Sequence, residues 1–165
     1  FIIYKNTVIL FKNFNNKKNY KVKKNIFYRV IKNIKDLKMI KFSNFQIPVN
    51  FEDRVKNKNC FHFISKKNNL ISYGWSSNNN KFYISEIATY LKNKNGIIFF
   101  DFKTLKTFQN KGYYKILLNL MLEYFKLKNC FIYSLSSNKK SISAILSTGF
   151  TSVKKLSFFS EKNIF

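Results

Sequence analysis

The sequence predicts an α/β (α+β) fold: a central sheet with helices packed against it. From Asn59 to Tyr90 the chain is a run of short apolar segments separated by polar turns, which reads as consecutive strands. After Gly96 the pattern alternates strand, helix, strand, helix, strand, an order that lays helices on a sheet. With 165 residues and 45% apolar content, the chain suits one domain with one core over residues 1–165.

Each element has its own signature. Phe1 to Phe11 reads as a strand and Lys12 to Lys24 as a solvated Lys/Asn loop. Ile26, Phe27, Val30, Ile31, Ile34, Leu37 and Ile40 recur at helical spacing. Pro48 breaks the chain before a short helical stretch, Asn50 to Lys56. Cys60–Ser65 and Leu70–Trp75 form a hairpin about Lys66–Asn69. Phe82 to Tyr90 reads as one strand, and Lys92 to Asn95 turns the chain into the strand that opens at Gly96. Tyr113, Ile116, Leu117, Leu120, Tyr124 and Leu127 mark one face of a helix. Cys130–Leu135 is a further strand. Asn138 then suits an N-cap for a helix carrying Ile142, Ile145 and Leu146, which Gly149 ends as a C′ glycine. Thr151 to Phe159 closes the sheet. No repeat, linker or second domain is visible.

The formal net charge of +24 raises a nucleic-acid or acidic-membrane reading. The residue types argue against it. The charge is nearly all Lys, with Arg only at Arg29 and Arg54, whereas geometric recognition of phosphate favours the Arg fork. Lys is enriched together with Asn, Ile, Phe and Tyr, all with A/T-rich codons, while Gly, Pro and Ala are scarce. Genomic base composition therefore accounts for the charge without a partner.

Cys60 and Cys130 have no metal or redox spacing, and two thiols do not make a disulfide framework. No metal site is expected. No apolar run approaches the roughly 20 residues of a spanning helix, and Phe1-Ile-Ile-Tyr4 is too short for a signal peptide. The expectation is a soluble, cytoplasmic protein. The chain opens on Phe1 rather than Met, as a fragment or trimmed chain would.

Chemistry is concentrated at Gly112, one of only four glycines, where an apolar strand hands over to an apolar helix. A glycine there lets backbone approach a ligand, and the helix start offers unbonded N–H groups to an anion. Those are the elements of a phosphate cradle.

Gln109-Asn-Lys-Gly112-Tyr-Tyr114 resembles the pyrophosphate loop of the GNAT superfamily of acyl-CoA N-acyltransferases, usually written Q/R-x-x-G-x-G/A. Asn138 to Gly149-Phe150 is similar to the family's second signature, an Asn opening a helix that ends in Gly-Phe. Leu70–Trp75 resembles its third strand, so the likeness covers about residues 50–158. It implies a mixed, mostly antiparallel sheet of six or seven strands with helices on both faces. It also implies transfer of an acetyl (acyl) group from acetyl-CoA to a primary amine by direct attack.

By the same resemblance, backbone N–H groups of Gln109, Asn110, Lys111, Gly112, Tyr113 and Tyr114 would hold the CoA pyrophosphate, with Lys111 and Lys115 adding charge. The strand edge at Lys103, Thr104 and Leu105 would pair with the pantetheine arm, and an N–H near Leu105 would polarise the thioester carbonyl. Asn138 would contact pantetheine or hold the splayed fifth strand, with plain helix capping as its other reading. Two positions depart from the family pattern: Tyr114 replaces the last small residue of the loop, and Ile145 stands where many members carry a Tyr that protonates the leaving thiolate.

A general base must also be found among seven acidic residues. Glu86, expected on a strand beside the cofactor strand, is the first candidate, and Asp101 on the cofactor strand is the second. His62 between Phe61 and Phe63, Tyr73, Trp75 and Cys130 read as structural or pocket-wall residues. The acceptor, a small amine, an amino sugar or a protein amine, is not legible. Two rival readings remain: a Lys-rich nucleic-acid or ribosome-associated module, and a family member that binds CoA without catalysis.

Overall fold

The computed structural model describes residues 6–13, 24–157 and 163–164. Its larger sheet is mostly antiparallel and has seven strands. Their order across the sheet is β2 (Phe27–Ile31), β3 (Cys60–Lys66), β4 (Asn69–Ser77), β7 (Gly96–Thr104), β8 (Asn129–Leu135), β1 (Thr7–Asn13) and β9 (Phe150–Ser157). A smaller sheet has the order β10 (Asn163–Ile164), β6 (Thr89–Asn93) and β5 (Lys81–Ile84). The chain divides into two compact units, and β7 begins in one and ends in the other.

The unit that carries the predicted loop holds residues 18–77 and 100–124. Besides β2, β3, β4 and the end of β7, it contains a 3₁₀ turn (Ile34–Met39), α1 (Phe51–Lys56) and α2 (Tyr113–Tyr124). β3 and β4 form the expected antiparallel hairpin, with Phe61 opposite Trp75, His62 opposite Gly74 and Phe63 opposite Tyr73. Alternation along these strands sorts two faces. Phe61, Phe63, Tyr73 and Trp75 face α1, whose Phe51 ring lies 4.8 Å from both Phe61 and Trp75. His62 lies on the other face, 5.5 Å from the Tyr124 ring of α2. Helices thus cover both faces of this hairpin.

The other unit holds residues 1–17, 78–99 and 125–165. Its β1 is inserted antiparallel between β8 and β9. β7 and β8 pair in parallel from Gly96–Asn129 to Phe99–Ile132. The core gathers Val8, Leu10, Phe11, Phe99, Ile132 and Phe150, all nearly fully buried. Here α3 (Lys139–Ser147) begins at Asn138 and ends before Gly149, which has φ +90°. Both helix boundaries agree with the caps expected from the sequence.

Several expectations are corrected. Residues 26–40 do not form a helix: β2 pairs antiparallel with β3 and is followed by the 3₁₀ turn. Phe27, Tyr28, Val30 and Ile31 are aromatic or β-branched, and cross-strand pairing outweighs their accidental helical spacing. Phe82–Tyr90 is not one strand but the hairpin of β5 and β6, turning through Ser85–Ile87 with Ala88 left-handed at φ +47°. β10 pairs parallel with β6. Helix α2 stops at Tyr124, and Leu127, expected on its apolar face, is 86% exposed. Phe1–Lys5 of the first predicted strand, residues 14–23 of the predicted Lys/Asn loop, and Phe158–Phe159 of the last strand lie outside the described residues.

Candidate functional site

The approach to α2 has the local chemistry of an anion cradle. Lys106–Phe108 form a single 3₁₀ turn, Gln109 returns to extended backbone, and Asn110 and Gly112 adopt positive φ of 59° and 78°. Left-handed residues in such a turn aim neighbouring N–H groups toward one side. The N–H groups of Asn110, Lys111, Gly112 and Tyr113 donate to no carbonyl among the described residues, while Ile116 N–H bonds Gly112 O at 3.1 Å to start the helix. Nothing lies within 4 Å of where a Gly112 Cβ would stand, so space over the loop is open. Open space, unbonded amides and a helix N-terminus suit a phosphate group.

Side chains brace the loop rather than fill it. Gln109 Nε2 donates to Thr104 O at 3.1 Å, tying the loop to β7, and Lys111 Nζ donates to Thr107 O at 3.0 Å. The Tyr114 ring stands edge-on to Phe102 at 5.2 Å. Phe102 in turn occupies the space that a Cβ on Gly74 would need. Tyr114, the departure from the family loop, is therefore a packing residue that fixes α2 against β7.

The strand before the loop is kinked. Asp101 has φ +49° in the middle of β7, a conformation that Asp tolerates better than most residues. The kink breaks the alternation of side chains, as a bulge does. Phe100 and Asp101 consequently both reach Arg54 of α1. The guanidinium lies 5.7 Å from the Phe100 ring and 5.2 Å from the Trp75 ring, and its Nη2 meets Asp101 Oδ2 at 2.6 Å. Beyond Phe99, β7 has no β8 partner.

Arg54, Asp101, Trp75, Tyr73, Phe102, Lys103, Pro48 and Asn50 line one cavity of about 320 Å³. Asp101 is the only acceptor for the Arg54 guanidinium among the described residues, and the pair is partly open, with side chains 28% and 44% exposed. Burial pushes the Tyr73 phenol above its ordinary range; the Asp101 charge raises it further and Arg54 opposes. Asp101, on β7, thus lines a cavity. Sequence reasoning overlooked Arg54, although it is one of two arginines among 31 cationic residues.

The remaining predicted residues fall elsewhere. Glu86 is not on a strand beside β7: it sits in the 3₁₀ turn of the β5–β6 hairpin, accepting from Ser85 Oγ at 3.1 Å. Leu105 N–H is bonded to Ile71 O at 2.9 Å, so it is not free to polarise a carbonyl. Lys103 O accepts from Ser72 Oγ at 3.1 Å, and Thr104 Oγ1 lies 2.9 Å from the same hydroxyl. Asn138 caps α3, its side chain accepting from Ser141 N at 3.1 Å. Ile145 is completely buried.

His62 is a structural histidine. It is fully buried, with Nδ1 2.8 Å from Tyr28 Oη and Nε2 2.7 Å from Ser76 Oγ. Burial, aided by the Lys32 charge, lowers its pKa to about 3, so it stays neutral. Burial likewise pushes the Cys130 thiol up to about 12, as befits a small buried hydrophobe.

Neither a protein-family model nor a curated protein matches the sequence. Solved structures do match the fold. A GNAT-family acetyltransferase from Colwellia psychrerythraea superposes with a TM-score of 0.61 at 13% identity, covering 90% of this chain and 53% of that one. A putative GNAT-family acetyltransferase from Novosphingobium aromaticivorans gives 0.62 at 10%, covering 94% and 63%. An aminoglycoside acetyltransferase from an uncultured soil metagenomic sample, solved with sisomicin, gives 0.57 at 14%, covering 83% and 95%. The chain spans between half and two thirds of the first two. It has the fold of the GNAT acyl-CoA N-acyltransferases.

Proposed function

We propose that the protein transfers an acetyl group from acetyl-CoA to a primary amine. The observation that carries this reading is the run of amides from Asn110 to Tyr113, unbonded among the described residues, opening α2 next to a strand end that lacks a β8 partner, on a GNAT fold. Those amides hold the pyrophosphate, with Lys111 and Lys115 contributing positive charge. The strand end around Thr104, on the edge that lacks a β8 partner, takes the pantetheine arm, the Leu105 N–H being already bonded to Ile71 O.

Bound acetyl-CoA supplies an activated acyl carbonyl and a thiolate leaving group. Asp101 takes a proton from the acceptor's ammonium, and the freed nitrogen forms the new C–N bond at that carbonyl as the C–S bond breaks. The nitrogen sheds a second proton while the thiolate takes one up, so each turnover releases one proton. Asp101 is preferred to Glu86 because it lines a cavity on the cofactor strand, whereas Glu86 lies in a turn of the smaller sheet. The free thiols Cys60 and Cys130 fit a reducing compartment, and we place the protein in the cytoplasm.

Thermal unfolding with and without acetyl-CoA tests the reading. Ligand at a hundredfold over Kd should stabilise the fold by about 2.7 kcal/mol, and Gly112→Glu should abolish that shift by placing a carboxylate in the cradle. An unchanged melting temperature at millimolar acetyl-CoA would sink the proposal, and a retained shift in Gly112→Glu would show the cradle to be elsewhere. Ile145, buried where many family members carry a Tyr, keeps a second reading open: binding without turnover on any amine tested.

A further inference from the structure

The acyltransferase reading leaves its acceptor open, and the cavity on the α1 face narrows it. We infer that the cavity bounded by Arg54, Asp101, Tyr73 and Trp75 takes a small α-amino acid, an acceptor whose amine and carboxylate sit on one carbon. This inference rests on the proposed acyl transfer for its chemical consequence but not for its geometry.

Charge arrangement is the first argument. Opposite charges stand side by side, Arg54 Nη2 and Asp101 Oδ2 being 2.6 Å apart, and both groups open to the cavity. A ligand with only an ammonium gains Asp101 but meets the guanidinium charge. One with only a carboxylate gains Arg54, with Lys103 also in the lining, but leaves the Asp101 charge unanswered. Only a ligand carrying both, a few bonds apart, answers the pair charge for charge. An α-amino acid presents its two groups at that spacing.

The second argument is the residue type. In a chain whose cationic residues are overwhelmingly Lys, the cavity holds an Arg, whose planar fork matches a carboxylate bidentately. That fork lies over the neighbouring Trp75 and Phe100 rings, which help set its orientation before a ligand arrives. Asp101 occupies one edge of it through Nη2, and no other acceptor among the described residues occupies the rest.

The walls supply the third. Tyr73, Trp75, Phe102 and Pro48 supply apolar surface, Asn50 an uncharged polar group, and Lys103 a second cation beside Arg54. A cavity of about 320 Å³ lies at the small end of ligand sites. It suits a single amino acid better than an amino sugar or a folded protein's lysine. Asp101 there is both the ammonium's counter-charge and the base that releases the nucleophile.

Two measurements on the intact protein test this separately from acetyl-CoA binding. Calorimetric binding is measured for phenylalanine, leucine, methionine, serine and glutamine, each against its amide, and for 3-phenylpropionate. Acetyl transfer to the same set is then followed by thiol release. At least one amino acid should bind, with its amide and the bare carboxylate at least tenfold weaker. Arg54→Lys, which keeps the charge but not the fork, should reduce that preference to less than about threefold while leaving the acetyl-CoA thermal shift intact. Amides that bind or react as well as the acids overturn the inference and leave the acyltransferase reading standing. So does the absence of binding by any amino acid when acetyl-CoA does bind. Amino-acid binding without any acetyl-CoA shift upholds the cavity assignment and overturns the transferase.

Discussion

His62 shows how one side chain couples the interior to solvent pH. Its ring is satisfied as the neutral form, with Tyr28 Oη hydrogen-bonded to Nδ1 and Ser76 Oγ to Nε2. The Tyr28 phenol is itself driven well above its ordinary range by burial and then by Tyr124 and Cys60, so it stays protonated. The folded-state pKa of His62, about 3, lies below the 6.5 of an unperturbed ring. Above pH 6.5 neither state binds the proton and the group is silent. Between 6.5 and about 3 only the unfolded chain binds it, so stability is lost as pH falls. The slope from this one group approaches about 1.4 kcal/mol per pH unit. Urea denaturation at pH 7, 6, 5 and 4 should show it, and His62→Gln should remove it. Parallel pH profiles for the two proteins would mean that His62 is protonated within the fold.

At the scale of elements, the contact chain Gly74–Phe102–Tyr114 joins β4, the end of β7 and the first turn of α2. A methyl at Gly74 would overlap the Phe102 ring, which must then move or be strained. Overpacking of this kind costs about 1–3 kcal/mol. Because Phe102 also carries Tyr114, Gly74→Ala should lower Tm by several degrees and weaken acetyl-CoA binding as the cradle shifts. A melt and a ligand titration on one variant check both, and lost stability with unaltered affinity would uncouple Gly74 from the cradle. The same elements show what is legible in the sequence. Gly112, the Asn138 cap and the Gly149 stop are readable because each is a local event: a turn needing positive φ, or a side chain meeting an amide three residues on. The Arg54–Asp101 pair is not, because it needs α1 set against β7 and a left-handed residue in mid-strand. Neither leaves a periodic trace. Residues 27–31 mislead for the opposite reason, since so short a segment satisfies helical and extended spacing alike until β3 supplies partners.

For the whole molecule, charge is the dominant fact. Thirty-one cationic residues against seven acidic ones leave an excess of 24 positive charges that no carboxylate can match. They are spread over both units: Lys35, Lys56, Lys67 and Lys106 are exposed in one, Lys81, Lys92, Lys128 and Lys140 in the other. Both units therefore carry excess positive charge, and its physical consequences are independent of its origin. Like charges at a surface repel, and folding concentrates them. Screening shortens their reach from about 10 Å at about 0.1 M salt to about 3 Å at about 1 M. Raising NaCl from about 20 mM to about 500 mM should therefore raise Tm, while the same titration should weaken acetyl-CoA binding, because attraction to an anionic ligand is screened as well. The two trends oppose each other, so nonspecific effects of salt on the fold cannot mimic both. A Tm that falls with salt would mean that the carboxylate pairs, Arg54–Asp101 first among them, outweigh the repulsion of the excess lysines. Acetyl-CoA affinity indifferent to salt would mean that the amides at the start of α2, and not the surrounding Lys field, supply nearly all the attraction for the pyrophosphate.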